Sequence, residues 1–469
     1  MGSPMSPYDL RLSGGSVVLP GSGRTDADVL VRDGTTVAIV GRGEPGEART
    51  VVDCSGKVVL PGAVDAHVHL GPNITFPQSE GDVLLESRAA AAGGVTSMLA
   101  YLMSPQPYEE IFPTARDTMT AHSLVDFGFH FCVVSRQQLE TLPSYVRDLG
   151  VSSFKFFMNF RGDEGAYLGL PGNDDGFLLD LLHAAADNHA MIDPHAENVE
   201  LVWRLRNAGV KPGTTDLETW CNARPDYVET EALARVAYLA QISNASAYAV
   251  HTTSASALDA LRRARTQYNN VFVETCPHYL TLDVRSPCGT YGKVNPPLRY
   301  EADREALWAG IDEGLVDVIG SDHVPRHKSF KEKDIMSASA GFPGLQNMLV
   351  LAISEGHLAR GIPLERIVEV TSTRPAKLFG LYPRKGEIRV GADADFAVID
   401  LHASDQITDA SQHSAAEYTP WQGWTTSCRV VTTVVRGTIV YRDGEIVAGH
   451  NGRYLTRAAS GADALAAIR

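Results

Sequence analysis

A chain of 469 residues, 44% hydrophobic and 21% charged, is long enough for one large domain plus a smaller one and has the composition of a globular protein. Its 56 acidic residues outnumber 41 basic ones, giving a formal net charge of −15 with no basic cluster, which makes nucleic acid and anionic membrane poor partners. No run reaches the ~18 apolar residues of a membrane span. The six cysteines (Cys54, Cys132, Cys221, Cys276, Cys288, Cys428) include no C-x-x-C pair, which argues against a disulfide framework and a cysteine zinc site. Met1–Pro7 has no apolar core and reads as a cloning remnant before Met5, so the expected compartment is the cytoplasm.

From about residue 8 to 59, short β-like runs alternate with Gly and Asp turns: 16–19, 28–31, 37–40 and 50–53. The same texture returns at 394–400, 429–437 and 438–444, so the two ends (8–59 and 386–450) are expected to meet in one small β-sandwich. Between them, residues 60–385 alternate strand candidates with helical stretches such as 177–188 and 229–243. The strand candidates lie at 97–101, 127–134, 153–158, 190–193, 247–251, 270–274 and 316–320. About eight such alternations are the sequence image of a (β/α)8 barrel. The fold expected is therefore α/β, a TIM-like barrel with a sandwich built from both termini. Residues 451–469 form an Ala-rich tail, read as a short helix or a frayed end.

The chemistry lies at the predicted strand ends, where barrel enzymes keep their sites. The β-branched Val58-Val59 run reads as a strand with His67 and His69 at its end, two residues apart and so on one face. Lys155 lies within Phe154-Lys155-Phe156-Phe157; His195, His251 and Asp322 end later strands. Taken singly, each has an ordinary explanation: a rim histidine, a snorkelling lysine, a helix-capping aspartate. Together at successive strand ends they fit two divalent cations. An ammonium cannot ligate a cation, but a lysine held neutral by apolar surroundings can add carbon dioxide, and the resulting carbamate can bridge two ions. The assignment is His67, His69 and Asp322 to one metal, His195 and His251 to the other, and the Lys155 carbamate to both. Mixed nitrogen and oxygen ligation suits zinc first. Such a pair activates a shared hydroxide, and Asp322 serves as general base and then acid.

These motifs resemble those of the cyclic amidohydrolases, and among them the dihydropyrimidinase/hydantoinase group. Further matches are His195-Ala196-Glu197-Asn198, Glu274-Thr275-Cys276-Pro277-His278-Tyr279-Leu280, Pro296-Pro297-Leu298-Arg299 and Ser321-Asp322-His323. The resemblance implies two zinc ions, a carbamylated lysine, ring-opening hydrolysis of a small cyclic amide, imide or ureide, and a homotetramer. It also implies substrate contacts at Asn159, Phe160, Asn295, Ala340 and Gly341. Phe160 stands where that group carries an oxyanion-steadying tyrosine, so another donor (Asn159, Tyr167 or Asn295) is expected to substitute. Asn295 replaces the group's serine, and Ala340 its ring-contacting asparagine. Gly71 replaces the arginine that dihydroorotases use for the substrate carboxylate. Cys276-Pro277-His278-Tyr279-Leu280 and Gly344-Leu345-Gln346 lean toward allantoinase, which leaves an allantoinase-like or ring-closing enzyme as the alternative. A non-catalytic scaffold of this fold would show gaps in the ligand set, and the sequence has none.

Overall fold

The structure, a computed structural model, describes residues 7–166, 169–170, 172–206 and 213–468. Eight parallel strands run in order around a barrel: β1 (Ala63–Val68), β2 (Val95–Leu102), β3 (Asp126–Cys132), β4 (Ser153–Phe157), β5 (Met191–His195), β6 (Ser246–Ala249), β7 (Val271–Thr275) and β8 (Val318–Ile319). Closure is made between the last strand and the first, where Val68 bridges to His323 and the His69 N–H donates to His323 O at 2.8 Å. Every residue of β1, β2, β3, β5 and β7 is buried, as expected of a parallel sheet covered on both faces. That double burial is why these strands read as near-continuous apolar runs rather than alternating ones. The helices between them start on side-chain caps set by sequence: Ser79 (with Asp82 in a capping box), Ser135, Asp174 and Ser254.

Both chain ends build a second, strand-rich layer. Val58–Pro61 pairs in parallel with Ser16–Leu19 and antiparallel with Phe396–Asp400, so one short strand joins the N-terminal half to the C-terminal half. Gly23–Arg32 pairs with Ser16–Leu19 over its first half and with Tyr8–Ser13 over its second, folding the sheet across its own apolar core of Leu12, Val29, Val59, Phe396 and Val434.

Two expectations change. His67 and His69 do not end the strand begun by Val58-Val59. The chain leaves that sandwich strand at Pro61, turns at Gly62 and starts the barrel strand at Ala63. A Cβ at Gly62 would lie 2.2 Å from Thr96 Oγ1, so only glycine allows the switch there. Both runs are apolar, and periodicity does not mark a change of sheet at a single residue. The tail, read as a short helix or a frayed end, is narrowed to the first. It runs under the strand starts, with Leu455 N–H bonded to Phe127 O and Arg457 N–H to Gly150 O, before the short helix Ala462–Ala466. Arg457 is buried there and donates to Ser153 Oγ and Phe129 O, which closes the floor of the barrel.

Candidate functional site

The opposite end of the barrel, where the strands finish, is open. A cleft lies there, bordered by His67, His69, Lys155, His195, His251 and Asp322, with Asn159, Phe160, Asn295, Ala340 and Gly341 around them. Tyr167, the remaining donor considered for the oxyanion, lies outside the described residues.

Donor atoms of His67, His69 and Asp322 fall within 4.8 Å of one another, all buried. His67 Nε2 lies 3.1 Å from Asp322 Oδ1 and His69 Nε2 3.6 Å from it, yet neither contact has hydrogen-bond geometry. Two imidazoles and a carboxylate converging without bonding one another are arranged to share a third body, and a divalent cation fits that donor set. His67 Nδ1 is fixed by Glu274 Oε1 at 2.7 Å, which assigns Nε2 to the centre. Glu274 also receives the His251 N–H at 2.8 Å and the Tyr248 hydroxyl at 2.8 Å, so one buried carboxylate positions two of the candidate ligands. Glycine at 320 is what admits it: a Cβ there would lie 2.5 Å from Glu274 Oε2.

Across the cleft, the His195 and His251 rings stand edge to face with centroids 4.6 Å apart. His195 engages Glu197 through Nε2 at 2.7 Å, leaving Nδ1 as its ligand atom, and Glu197 is held in turn by two nitrogens of Arg224 at 2.9 Å. His251 Nδ1 is buried without a hydrogen-bond partner. These two imidazoles lack a third protein donor of the usual kind, and the side chain beside them is Lys155. It is buried on β4 and paired in register with Asp193 of β5, and its Nζ sits over the Tyr101 and Phe157 rings at 4.8 and 5.2 Å. Among the described residues it makes no hydrogen bond or ion pair.

The electrostatics follow from burial and from this crowd of like and unlike charges. Burial pushes the Lys155 ammonium below the ordinary lysine value, against the pull of Asp322, Glu274 and Asp193. Burial also holds His69, His195 and His251 neutral, the form that ligates a metal. His67 behaves differently: burial opposes its proton, but Glu274 and Asp322 outweigh burial and raise it to about 9. Asp322 is held well below the usual carboxylate range; burial would raise it, and His67, His251 and His69 prevail. The pull of Glu274 and Asp322 on a proton at His67 marks a point where positive charge is favoured. A cation supplies it with both imidazoles neutral.

Two candidate ligand positions, His251 and Asp322, adopt left-handed φ of 41° and 46°. Non-glycine residues hold that conformation only where their surroundings insist, as at sites that must aim a side chain. Here Glu274 grips the His251 N–H, and Asp65 takes the Ser321 N–H at 3.0 Å. His323 is not a ligand: Nε2 bonds Glu86 at 2.7 Å and Nδ1 accepts from the Gly344 and Leu345 N–H groups. It ties the segment carrying Ala340 and Gly341 to the barrel. Phe160 stacks on Phe157 at 3.9 Å, making an apolar shelf in the cleft. Asn159 and Asn295 each keep a buried amide oxygen without a partner at the same cleft.

Glu274 and Glu197 stand within the quoted motifs without a role there, and neither Arg224 nor Arg326 was singled out. A carboxylate two residues beyond a ligand histidine, as Glu197 is, was the available signal. Arg326 carries no local pattern at all.

A parallel barrel with a converging histidine, aspartate and lysine set at its strand ends is the architecture of a hydrolytic metalloenzyme barrel. The profile described as the amidohydrolase family matches residues 58–440, and the chain belongs to that family. It is 32% identical to a D-hydantoinase of Geobacillus stearothermophilus over 93% of this chain and 94% of that one. It is also 32% identical to a D-phenylhydantoinase of Escherichia coli over 94% and 96%. Among solved structures, the dihydropyrimidinase of Brevibacillus agri superimposes with a TM-score of 0.86 at 30% identity, covering 95% of this chain and 98% of that one.

Proposed function

We infer that this protein is a metal-dependent hydrolase that opens the ring of a cyclic amide, imide or ureide at a C–N bond. The observation that carries this is Lys155: a buried lysine without an ionic partner, held toward its neutral form, beside two imidazoles that lack a third ligand. A carbamate on Lys155 would supply that missing anionic ligand, and His67, His69 and Asp322 would hold the second cation. The relatives named above support the substrate class.

A bound pair of divalent cations, zinc first, supplies polarisation of the substrate carbonyl and acidification of a shared water. The protein does the rest. Glu274 and Glu197 fix the tautomers of His67 and His195 so that one nitrogen of each faces the centre. Asp322, ionised in this setting, takes a proton from the attacking water and delivers it to the ring nitrogen as the C–N bond breaks. Asn159 and Asn295 offer carboxamides to the ring's polar edge, and Phe160 on Phe157 gives its face a flat apolar support. With phenylalanine at 160 the developing oxyanion takes its protein hydrogen bond from one of these asparagines. Six unpaired cysteines, five of them buried, support a reducing, cytoplasmic compartment, and no described helix is long and apolar enough to cross a membrane. A homotetramer is the assembly the resemblance favours.

The test is metal analysis of purified protein together with turnover of 5-substituted hydantoins, dihydrouracil and allantoin, followed by appearance of the ring-opened product. Two metals per chain and opening of at least one ring are expected. A metal-replete enzyme inert on all of them contradicts the assignment.

A further inference from the structure

We propose that the substrate carries a carboxylate and that Arg326 binds it, an inference that rests on the cyclic-amide reading and names the substrate class within it. Arg326 is 4% exposed and borders the same cleft as the ligand cluster. Its guanidinium spans the cleft wall. Nη1 donates to Pro72 O, on the loop that follows His69, and Nε donates to Ala340 O at 3.2 Å. Both partners are backbone carbonyls, which carry no charge. Nη2 makes no hydrogen bond, and no carboxylate lies within ion-pair distance among the described residues.

A buried guanidinium without a countercharge is costly, and the cost is normally met by a paired acid. The other buried arginines near this end of the barrel follow that rule: Arg224 faces Glu197 at 2.9 Å and Arg299 faces Glu229 at 3.5 Å. Arg326 and Lys155 are the cations that reach the cleft, and carbamylation turns Lys155 into an anion. Arg326 is then the lysine or arginine side chain left facing the bound molecule beside the metal pair. Its two carbonyl bonds fix the plane of the guanidinium, so one nitrogen stays directed and ready for an acceptor.

The free donor also says which anion. A phosphate dianion needs several donors, whereas Arg326 offers one free nitrogen in a cleft whose lining also includes the aliphatic Ile74, Val294 and Val324. One guanidinium nitrogen amid aliphatic walls suits one oxygen of a carboxylate on the ring or on a short ring substituent.

The probe pair is 5-(2-carboxyethyl)hydantoin and its neutral primary amide, alike in size and differing in charge. Wild-type enzyme is expected to favour the acid in kcat/KM by ~10- to 10²-fold, the value of a charge-assisted hydrogen bond to a guanidinium. Arg326→Gln should collapse that acid-to-amide ratio toward unity, and Arg326→Lys should restore part of it. Equal use of the two probes by wild type, or a ratio unchanged in Arg326→Gln, overturns the proposal and leaves ring-opening hydrolysis intact. If neither probe is opened, calorimetric binding decides. Acid binding lost in Arg326→Gln upholds the carboxylate site while the hydrolase reading falls; binding that does not depend on Arg326 overturns the site.

Discussion

The charge cluster in the cleft and the one at the seam between barrel and sandwich are made of the same residue types and behave in opposite ways. At the seam, Lys385 Nζ lies 2.5 Å from Asp126, 2.9 Å from Asp393 and 2.6 Å from Asp395, and Arg436 also bonds Asp126. Three carboxylates that could hold a metal ion are there already served by an ammonium. Lys385 is accordingly raised, since Asp395, Asp126 and Asp393 outweigh the burial that opposes its charge. In the cleft, Lys155 has no such partners and is lowered by burial. A buried lysine in ion-pair contact with three acids is a structural cation; one over aromatic rings and without an ion pair is, in the function proposed above, the residue that takes up carbon dioxide. Acidic residues in a group therefore do not by themselves mark a metal site. What marks it is donors that converge without satisfying each other.

The largest expected effect comes from removing Lys155. Lys155→Ala should lower kcat/KM by more than the ~10²–10³-fold that losing one electrostatic stabiliser costs, with the circular dichroism spectrum unchanged. Its counterpart at the seam should do the reverse. Lys385→Met takes the ammonium from two buried carboxylates and a half-buried one and should cost about 3–5 kcal/mol in a denaturant titration, while the folded fraction keeps its kcat. A large loss of turnover in the Lys385 variant, or of stability in the Lys155 variant, would erase the distinction. Next in size is Glu274→Gln, which keeps the shape but weakens the grip on His67 and the His251 backbone; about 10–100-fold lower metal affinity is expected by chelator competition.

The smallest effect is one of pH, and the two lysines separate again. Carbon dioxide adds to the neutral amine, so recovery of bicarbonate-stripped enzyme should quicken as pH rises through the depressed Lys155 value. For Lys385 the sign is opposite. A lysine raised in the folded state contributes stability that is complete below the unfolded value of about 10.4 and is lost only as pH climbs through the folded one. The stability gap between wild type and Lys385→Met should therefore stay flat from about pH 6 to 9.

Much of this was legible in the chain. Parallel strands buried on both faces leave apolar runs that periodicity finds, and barrel geometry brings strand ends to one mouth, so the presence of His195, His251 and Asp322 at the cleft could be read without coordinates. Three things could not. The change of sheet at Gly62 takes one residue between two apolar strands and leaves no composition signal. The docking of the tail depends on Arg457 meeting Ser153 and Phe129, partners about 300 residues away in sequence. Arg326 matters because of what it fails to meet, and the absence of a partner is visible only once every neighbour is in place.

The central claim concerns one side chain, and carbon-13 NMR of enzyme prepared in labelled bicarbonate addresses it directly. A carbamate resonance that is absent from Lys155→Ala, alongside two metal equivalents per chain, is the result expected. Metal-replete, bicarbonate-treated protein showing no such resonance would mean that residue 155 remains a plain amine, and the account of the cleft would be wrong.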